Sequence, residues 1–259
     1  MADAESLRIV VLGSGNLATS LVLAIVSTKH TLCQIYSKTE THAMQLAQMC
    51  KCAYTSDLNN LVEADVYISA LKDDISSLVW QNVNFKNKLV LHTAGSLPIS
   101  LLAPYTQHYG IMYPLMTFSK SRIVDFKDIP IFIEASSSED LEVVKSLSKS
   151  LSDIVYEADS ESRLKMHLAA VFVNNFTNFM YVEGAKLLAK TNIPFSVLYP
   201  LIDETARKIH SIKPLDAQTG PAVRGDEKIL EHHSNMLEGD DKKLYGLISS
   251  MIFNFKQKN

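Results

Sequence analysis

Arg8-Ile9-Val10-Val11-Leu12-Gly13-Ser14-Gly15-Asn16-Leu17-Ala18 decides how this chain folds. A short apolar run enters, without a gap, a turn of the form G-x-G-x-x-A, and a helical pattern opens directly behind it. Each small residue has its own physical task. Gly13 permits the tight turn, Gly15 lets backbone approach a pyrophosphate, and Ala18 lets the helix lie close against the strand. Amides at the start of the helix, at Asn16 and Leu17, then face the phosphates beside Ser14. The plain alternative is a strand-to-helix turn whose glycines serve geometry alone.

Working outward, the next apolar run ends in Tyr36-Ser37-Lys38-Thr39. A unit that takes NAD usually carries Asp or Glu near this point to hold the ribose hydroxyls. Here no carboxylate stands to repel a 2'-phosphate, while Ser37 and Thr39 offer hydroxyls and Lys38 a cation, so NADP is expected over NAD. Ser37 and Thr39 are also ordinary helix caps ahead of Glu40, and Lys38 reads equally as a solvated side chain.

The alternation continues to about residue 156. Strands are expected at Arg8 to Leu12, Leu32 to Tyr36, Val66 to Leu71, Leu89 to His92, Tyr109 to Met112 and Ile129 to Glu134. Helices are expected at Leu17 to Ser27, Thr41 to Cys50, Leu58 to Glu63, Asp74 to Gln81 and Glu139 to Leu151. This pattern builds an α/β Rossmann domain, a doubly wound and mainly parallel sheet, over residues 1–156. Beyond it strand signals vanish, and residues 157–259 read as an all-α domain. One helical pattern spans about Ser160 to Lys190, apolar nearly all round, which a single small domain can hardly bury alone. A helix from Pro194 to Ile212, a loop from Pro214 to Gly225, and helices at Asp226 to Leu237 and Asp240 to Phe255 complete the reading.

Bulk properties exclude several classes. The 259 residues are too many for one comfortable core, and 47% hydrophobic content argues for a folded chain throughout. A formal net charge of -3 with no basic run argues against a nucleic-acid partner. Cys33, Cys50 and Cys52 are odd in number and clustered, so reduced thiols are expected, and no ligand set for a metal accompanies them. The acidic start Met1 to Ser6 does not resemble an export signal, and no apolar run has membrane-spanning length, so a soluble cytoplasmic protein is expected.

Ligands of doubly wound sheets sit beyond the carboxyl ends of the strands. Ala70-Leu71-Lys72 would border the cofactor there through Leu71, and Thr93-Ala94-Gly95 leaves room for a nicotinamide ring. Tyr113, opening Tyr113-Pro114-Leu115-Met116-Thr117-Phe118, is expected against the substrate, while His92 and His108 read as histidines without chemistry. On the long helix His167, Asn174, Asn178 and Tyr181 share an arc of roughly 60° at 100° per residue. They either satisfy one another or line a cleft between the domains, with His167, Asn174 and Asn178 as catalytic candidates and Tyr181 on the substrate. In the Gln218-to-Asp226 loop Arg224 either binds an anionic substrate group or pairs with Asp226, itself a possible helix cap.

Five ordered blocks carry a resemblance: Leu12-Gly13-Ser14-Gly15-Asn16, His92-Thr93-Ala94-Gly95-Ser96, Tyr113 to Phe118, His167-Leu168-Ala169-Ala170-Val171-Phe172-Val173-Asn174-Asn175-Phe176, and Gln218-Thr219-Gly220-Pro221-Ala222-Val223-Arg224-Gly225-Asp226. Together, over nearly the whole chain, they resemble a bacterial family of Rossmann-like proteins provisionally labelled NADP oxidoreductases, with a C-terminal helical domain of unknown function. The architecture is also similar to pyrroline-5-carboxylate reductases, 6-phosphogluconate dehydrogenase relatives and deazaflavin-dependent NADP oxidoreductases. That likeness implies a homodimer through the helical domain and a substrate cleft, without naming a substrate. One departure matters. β-Hydroxyacid dehydrogenases place a catalytic Lys four residues before an Asn of this helix, whereas here Ala170 precedes Asn174 and Val171 precedes Asn175. Imine reduction asks less of the protein than alcohol oxidation by that mechanism.

The sequence therefore leads to an NADP-dependent oxidoreductase that moves a hydride to or from a small polar imine, keto acid or hydroxy acid. The competing class is a non-catalytic dimer that binds NADP(H) as a sensor or regulator.

Overall fold

The computed structural model describes residues 6–258. The acidic start Met1–Glu5, read above as no export signal, lies outside the described residues. By its contacts the chain divides into two compact units, 1–174 and 175–259.

The first unit is built on one eight-stranded sheet in the order β3-β2-β1-β4-β5-β6-β7-β8. Its strands are β1 Arg8–Leu12, β2 Thr31–Tyr36, β3 Ala53–Thr55, β4 Val66–Ser69, β5 Leu89–His92, β6 Tyr109–Pro114, β7 Ile131–Ala135 and β8 Val155–Glu157. All neighbouring pairs are parallel except β6 and β7. The order of β1 to β6 is that of a Rossmann domain, and it reverses direction between β1 and β4, where such sheets leave a crevice. The antiparallel β7 and short β8 extend the far edge.

Alternation along β1 shows why the sheet is covered on both sides. Ile9 and Val11 enter one apolar cluster with α1 Asn16–Val26, α2 Glu40–Cys50 and α4 Ser138–Leu151. Val10 and Leu12 enter the other, with Tyr67, Trp80, Phe85 and Leu102. Trp80 belongs to α3 Asp73–Trp80, and Leu102 to a 3-10 turn at Ile99–Leu102. Burying a Val or Leu side chain on each face contributes about 1.5–3 kcal/mol, so a one-residue slip of β1 would exchange the two faces at once.

Several elements differ from the sequence expectation. The helix expected at Leu58 to Glu63 is a single 3-10 turn, Leu58–Asn60, because the chain is drawn out of it when Val62 N–H donates to Gln34 Oε1 (2.9 Å). β4 stops at Ser69 and β7 begins only at Ile131. β3 and β8, three residues each, carry too short a pattern to read. The long helix is α5 Ser160–Ala170, a π-helical stretch Val171–Phe176, and α6 Thr177–Leu188.

Arg163 explains why α5 goes with the sheet rather than with the later helices. Its side chain is fully buried and bonds Glu134 of β7 and the Leu97 carbonyl (2.6 Å).

The second unit continues α6 with a 3-10 turn Phe195–Leu198 and α7 Tyr199–Lys208 in place of the single helix expected to Ile212. The expected loop holds two short helices, α8 Pro214–Ala217 and α9 Pro221–Arg224, each started by a proline. α10 Glu227–Asn235 and α11 Gly239–Lys258 follow. Lys186 of α6 ties Glu183 (3.0 Å) to Asp241 of α11 (2.8 Å).

Candidate functional site

The turn after β1 has the backbone its glycines imply. Gly13 has a φ of 127°, and a Cβ there would stand 2.5 Å from the Ala70 carbonyl oxygen, so both handedness and space demand glycine. Its N–H donates to the Tyr36 carbonyl (2.8 Å), fastening the turn to the end of β2. Leu71 lies beside the same turn, 3.6 Å from that Cβ position. Gly15 differs: its φ of -75° suits any residue, and no atom lies within 4 Å of its Cβ position. It caps α1 with no side-chain bond, leaving the amides of the first turn to an incoming acceptor.

Ser14 Oγ donates to Ser37 Oγ (2.8 Å), so the glycine turn and the end of β2 share one hydrogen bond. Ser37 is buried, while Lys38 and Thr39 are exposed. Thr39 sits at the N-cap of α2 without a side-chain cap bond, which sets aside capping as its use. These residues fit a nicotinamide dinucleotide: an uncapped helix start and an open Gly15, with two hydroxyls and an ammonium group at the strand end. Asn16 has a second task not visible in the sequence, since its Nδ2 donates to the Phe118 carbonyl (3.1 Å), 102 residues away.

On the other side of the chain reversal, the end of β5 is held from below. Trp80 Nε1 donates to Ser69 Oγ (2.9 Å), and Thr93 Oγ1 donates to the Ser69 carbonyl (3.3 Å). Ser96 Oγ donates to Asp73 at the start of α3 (2.5 Å). His92 is buried against Trp80, and its Nδ1 accepts from Ala94 N–H (3.3 Å). Burial, with the Arg163 cation nearby, pushes its pKa down to about 3 against a weaker raising effect of the Pro98 backbone. It is therefore a neutral structural imidazole, as the sequence reading held. His108 pairs with Asp140 (3.0 Å) at the opening end of β6, away from the strand ends that bear the site.

Tyr113 and His167, singled out separately in the sequence, meet here. Tyr113 Oη lies 3.1 Å from His167 Nδ1, with the rings edge to face at 6.1 Å. Gly95 seats between them, where a Cβ would stand 2.6 Å from Tyr113 Cζ and 2.8 Å from His167 Nδ1. Both side chains are half-buried. Burial raises the Tyr113 pKa, and the Arg163 cation partly offsets this, so at neutral pH the phenol keeps its proton. The pair can pass a proton between ring nitrogen and hydroxyl, and from the hydroxyl onward.

Asn174 is exposed in the π-helical stretch, so the 100°-per-residue arithmetic behind the polar stripe does not carry through Val171–Phe176. Asn178 (exposed), Tyr181 (half-buried) and Arg224 (exposed, ending α9) belong to the second unit. Asp226 caps α10, accepting from Ile229 N–H (3.4 Å). The residue the sequence reading missed is Arg163, which had no motif to mark it.

Among the described residues no group of three or more His, Cys, Asp or Glu could hold a metal ion, and no helix is long and apolar enough to cross a membrane. Burial pushes the Cys52 thiol up to about 11, so it stays protonated.

Both parts of the chain match known families. Residues 8–95 match a family model described as NADP oxidoreductase coenzyme F420-dependent, and residues 129–252 match a domain of unknown function, DUF2520. No curated protein matches the chain. Among solved structures, a Bacteroides fragilis protein provisionally named an NADP oxidoreductase is 48% identical, with 96% of this chain and 98% of that one covered and a TM-score of 0.90. The pyrroline-5-carboxylate reductase of Streptococcus pyogenes (15% identity, 97% and 100% covered, TM-score 0.67) shares the fold. So does the Plasmodium falciparum pyrroline carboxylate reductase with NADP bound (15%, 97% and 100%, TM-score 0.59). The chain belongs to the family of that Bacteroides fragilis protein, in which an NADP oxidoreductase Rossmann domain precedes a DUF2520 helical domain.

Proposed function

We propose that this protein is an NADP-dependent oxidoreductase that reduces a small polar C=N or C=O compound, with Tyr113 and His167 supplying the proton. The observation that carries the reading is the 3.1 Å contact between Tyr113 Oη and His167 Nδ1, packed on Gly95 at the carboxyl ends of the strands. Gly13, Ser14, Gly15, Asn16 and Leu17 would hold the pyrophosphate, and Ser37, Lys38 and Thr39 the 2'-phosphate, with Leu71 and Thr93 to Gly95 bordering the rest.

NADPH held there would supply a hydride to the unsaturated carbon. Tyr113 Oη–H gives its proton to the substrate nitrogen or oxygen that takes up the electron pair, and His167, as imidazolium, returns a proton from Nδ1 to Tyr113 and is left a neutral imidazole that regains its proton from solvent. The raised Tyr113 pKa keeps the donor protonated at neutral pH. An imine fits best, because the chain lacks the lysine of the alcohol-oxidising mechanism and the two fold relatives above are named for pyrroline carboxylates, which are cyclic imines.

A screen of cyclic imines, open-chain imines, keto acids and, with NADP+, hydroxy acids tests this through the NADPH absorbance. We expect turnover of at least one imine, a loss of roughly 100-fold or more in kcat for Tyr113→Phe, and little change in NADPH affinity. Titrating NADPH and NADH against the fluorescence of Trp80, whose indole is fixed to the end of β4, tests the cofactor preference. Tighter NADH binding overturns it. Tight NADPH binding with no turnover of any compound in the screen would favour a regulatory binder instead.

A further inference from the structure

Arg163 is a fully buried charge that the proton path does not use. A guanidinium taken from water must be paired and bonded on several sides, and its partners here come from β7, from the loop after β5 and from α5 itself. Nη1 donates to Glu134 of β7, while Nη2 donates to the Leu97 carbonyl (2.6 Å) and to Ser160 Oγ of α5 (3.1 Å). Ser160 Oγ in turn donates to Glu134 (2.8 Å), and Ile99 N–H reaches the same hydroxyl (3.4 Å). Arg163 Nε is left without a partner, so the group is oriented by the fork of its two terminal nitrogens.

Those contacts surround the proposed reaction centre. His167 follows Arg163 by one helical turn on α5, and Leu97 follows Gly95 by two residues. The Gly95 turn is thus gripped twice: by Arg163 through Leu97, and by Tyr113 and His167, which leave no room for a Cβ. Lysine, a point charge with no planar fork, cannot hold Leu97 and Glu134 in one plane.

We propose that Arg163 is a positioning residue: by bridging Glu134, Ser160 and the Leu97 carbonyl it fixes the Gly95 turn against Tyr113 and His167 and supplies the buried positive charge under which the Tyr113 hydroxyl works. This rests on the assignment of Tyr113 and His167 as the proton-bearing pair. The charge lowers the proton affinity of Tyr113 and His92, and also that of Asp159 at the cap of α5.

The test replaces Tyr113 by difluorotyrosine, which ionises at lower pH than tyrosine, and follows its 19F resonance with pH in the full-length protein without cofactor or substrate. In Arg163→Met the ionisation midpoint is expected to rise by roughly one pH unit. In Arg163→Lys the charge remains and the midpoint stays near that of the parent, while amide exchange at Leu97 to Ile99 accelerates at least about tenfold as the fork is lost. Glu134→Gln leaves the cation unbalanced and lowers the midpoint.

An unmoved midpoint in Arg163→Met, or unchanged exchange in Arg163→Lys, overturns the proposal. If Arg163→Met does not fold, the Glu134→Gln midpoint decides: a fall supports the role and no movement refutes it. Wild-type protein that binds NADPH but turns over nothing counts against the proposed function alone, because this titration involves neither.

Discussion

At the scale of the residue, the two glycines of one turn serve opposite purposes, and a methyl group separates them. At Gly13 a side chain meets the Ala70 carbonyl in a left-handed backbone, so Gly13→Ala should cost roughly 1–3 kcal/mol in strain alone, seen as a lowered denaturation midpoint. At Gly15 the backbone is ordinary and the space is open, so Gly15→Ala should change stability by no more than about 0.5 kcal/mol, yet lower NADPH affinity at least about tenfold. Equal affinity in the Gly15 variant would remove the phosphate reading of the turn.

His92 gives a second prediction at this scale. Its pKa falls from 6.5 unfolded to about 3 folded, so between those values the unfolded chain takes up a proton that the native state refuses. Stability is therefore undiminished above pH 6.5 and falls as pH drops toward 3, by up to about tenfold in the folded-to-unfolded ratio per pH unit. His92→Asn keeps an acceptor for Ala94 N–H and removes the titration. Its stability curve from chemical denaturation should be flatter by about one proton over that range. An unchanged slope would show that His92 does not contribute.

At the scale of the element, the sheet was legible where its strands are dense apolar runs that only a two-sided cover can bury, and β1 and β5 fall where the pattern puts them, while the three-residue β3 and β8 left no such run. What resisted reading are features that exist only through distant partners. A first-turn Arg163 reads as a solvated charge until Glu134, 29 residues earlier, and Leu97, 66 residues earlier, close over it. Tyr113 and His167 were each legible by residue type, but their contact spans 54 residues and three intervening strands and helices. The π-helical stretch left no mark, since its apolar spacing continues that of the α-helices on either side of it. Asn16 belongs here too: its backbone was legible as phosphate-facing, while its side chain anchors the segment after β6 through Phe118. Asn16→Ala keeps that backbone amide, so NADPH affinity should change by less than about threefold while stability drops by about 1 kcal/mol. Hydrogen exchange should quicken over residues 116–122. The reverse result, lost affinity with unchanged exchange, would assign the side chain to the cofactor instead.

At the scale of the whole molecule, the second unit poses a question of burial that one chain does not answer. Among its described residues only Ala222 counts as buried, whereas Leu201 is 64% exposed, Met236 64%, Met251 60% and Phe179 48%. Val173, at the end of the first unit, is 74% exposed. Isolated apolar residues on a surface need no explanation, but a helical unit with almost no core of its own does. At about 25 cal/mol per Å² of apolar surface removed from water, covering a face of several such side chains contributes several kcal/mol toward association. We infer that a second copy of this chain provides the cover, in keeping with the homodimer expected from the sequence. Sedimentation at micromolar concentration should give twice the mass of the chain, and Val173→Asp together with Phe179→Asp should convert it to a monomer with a lower melting temperature. A wild-type monomer, stable at the same concentration, would mean that the helical unit tolerates its exposed surface without a partner chain.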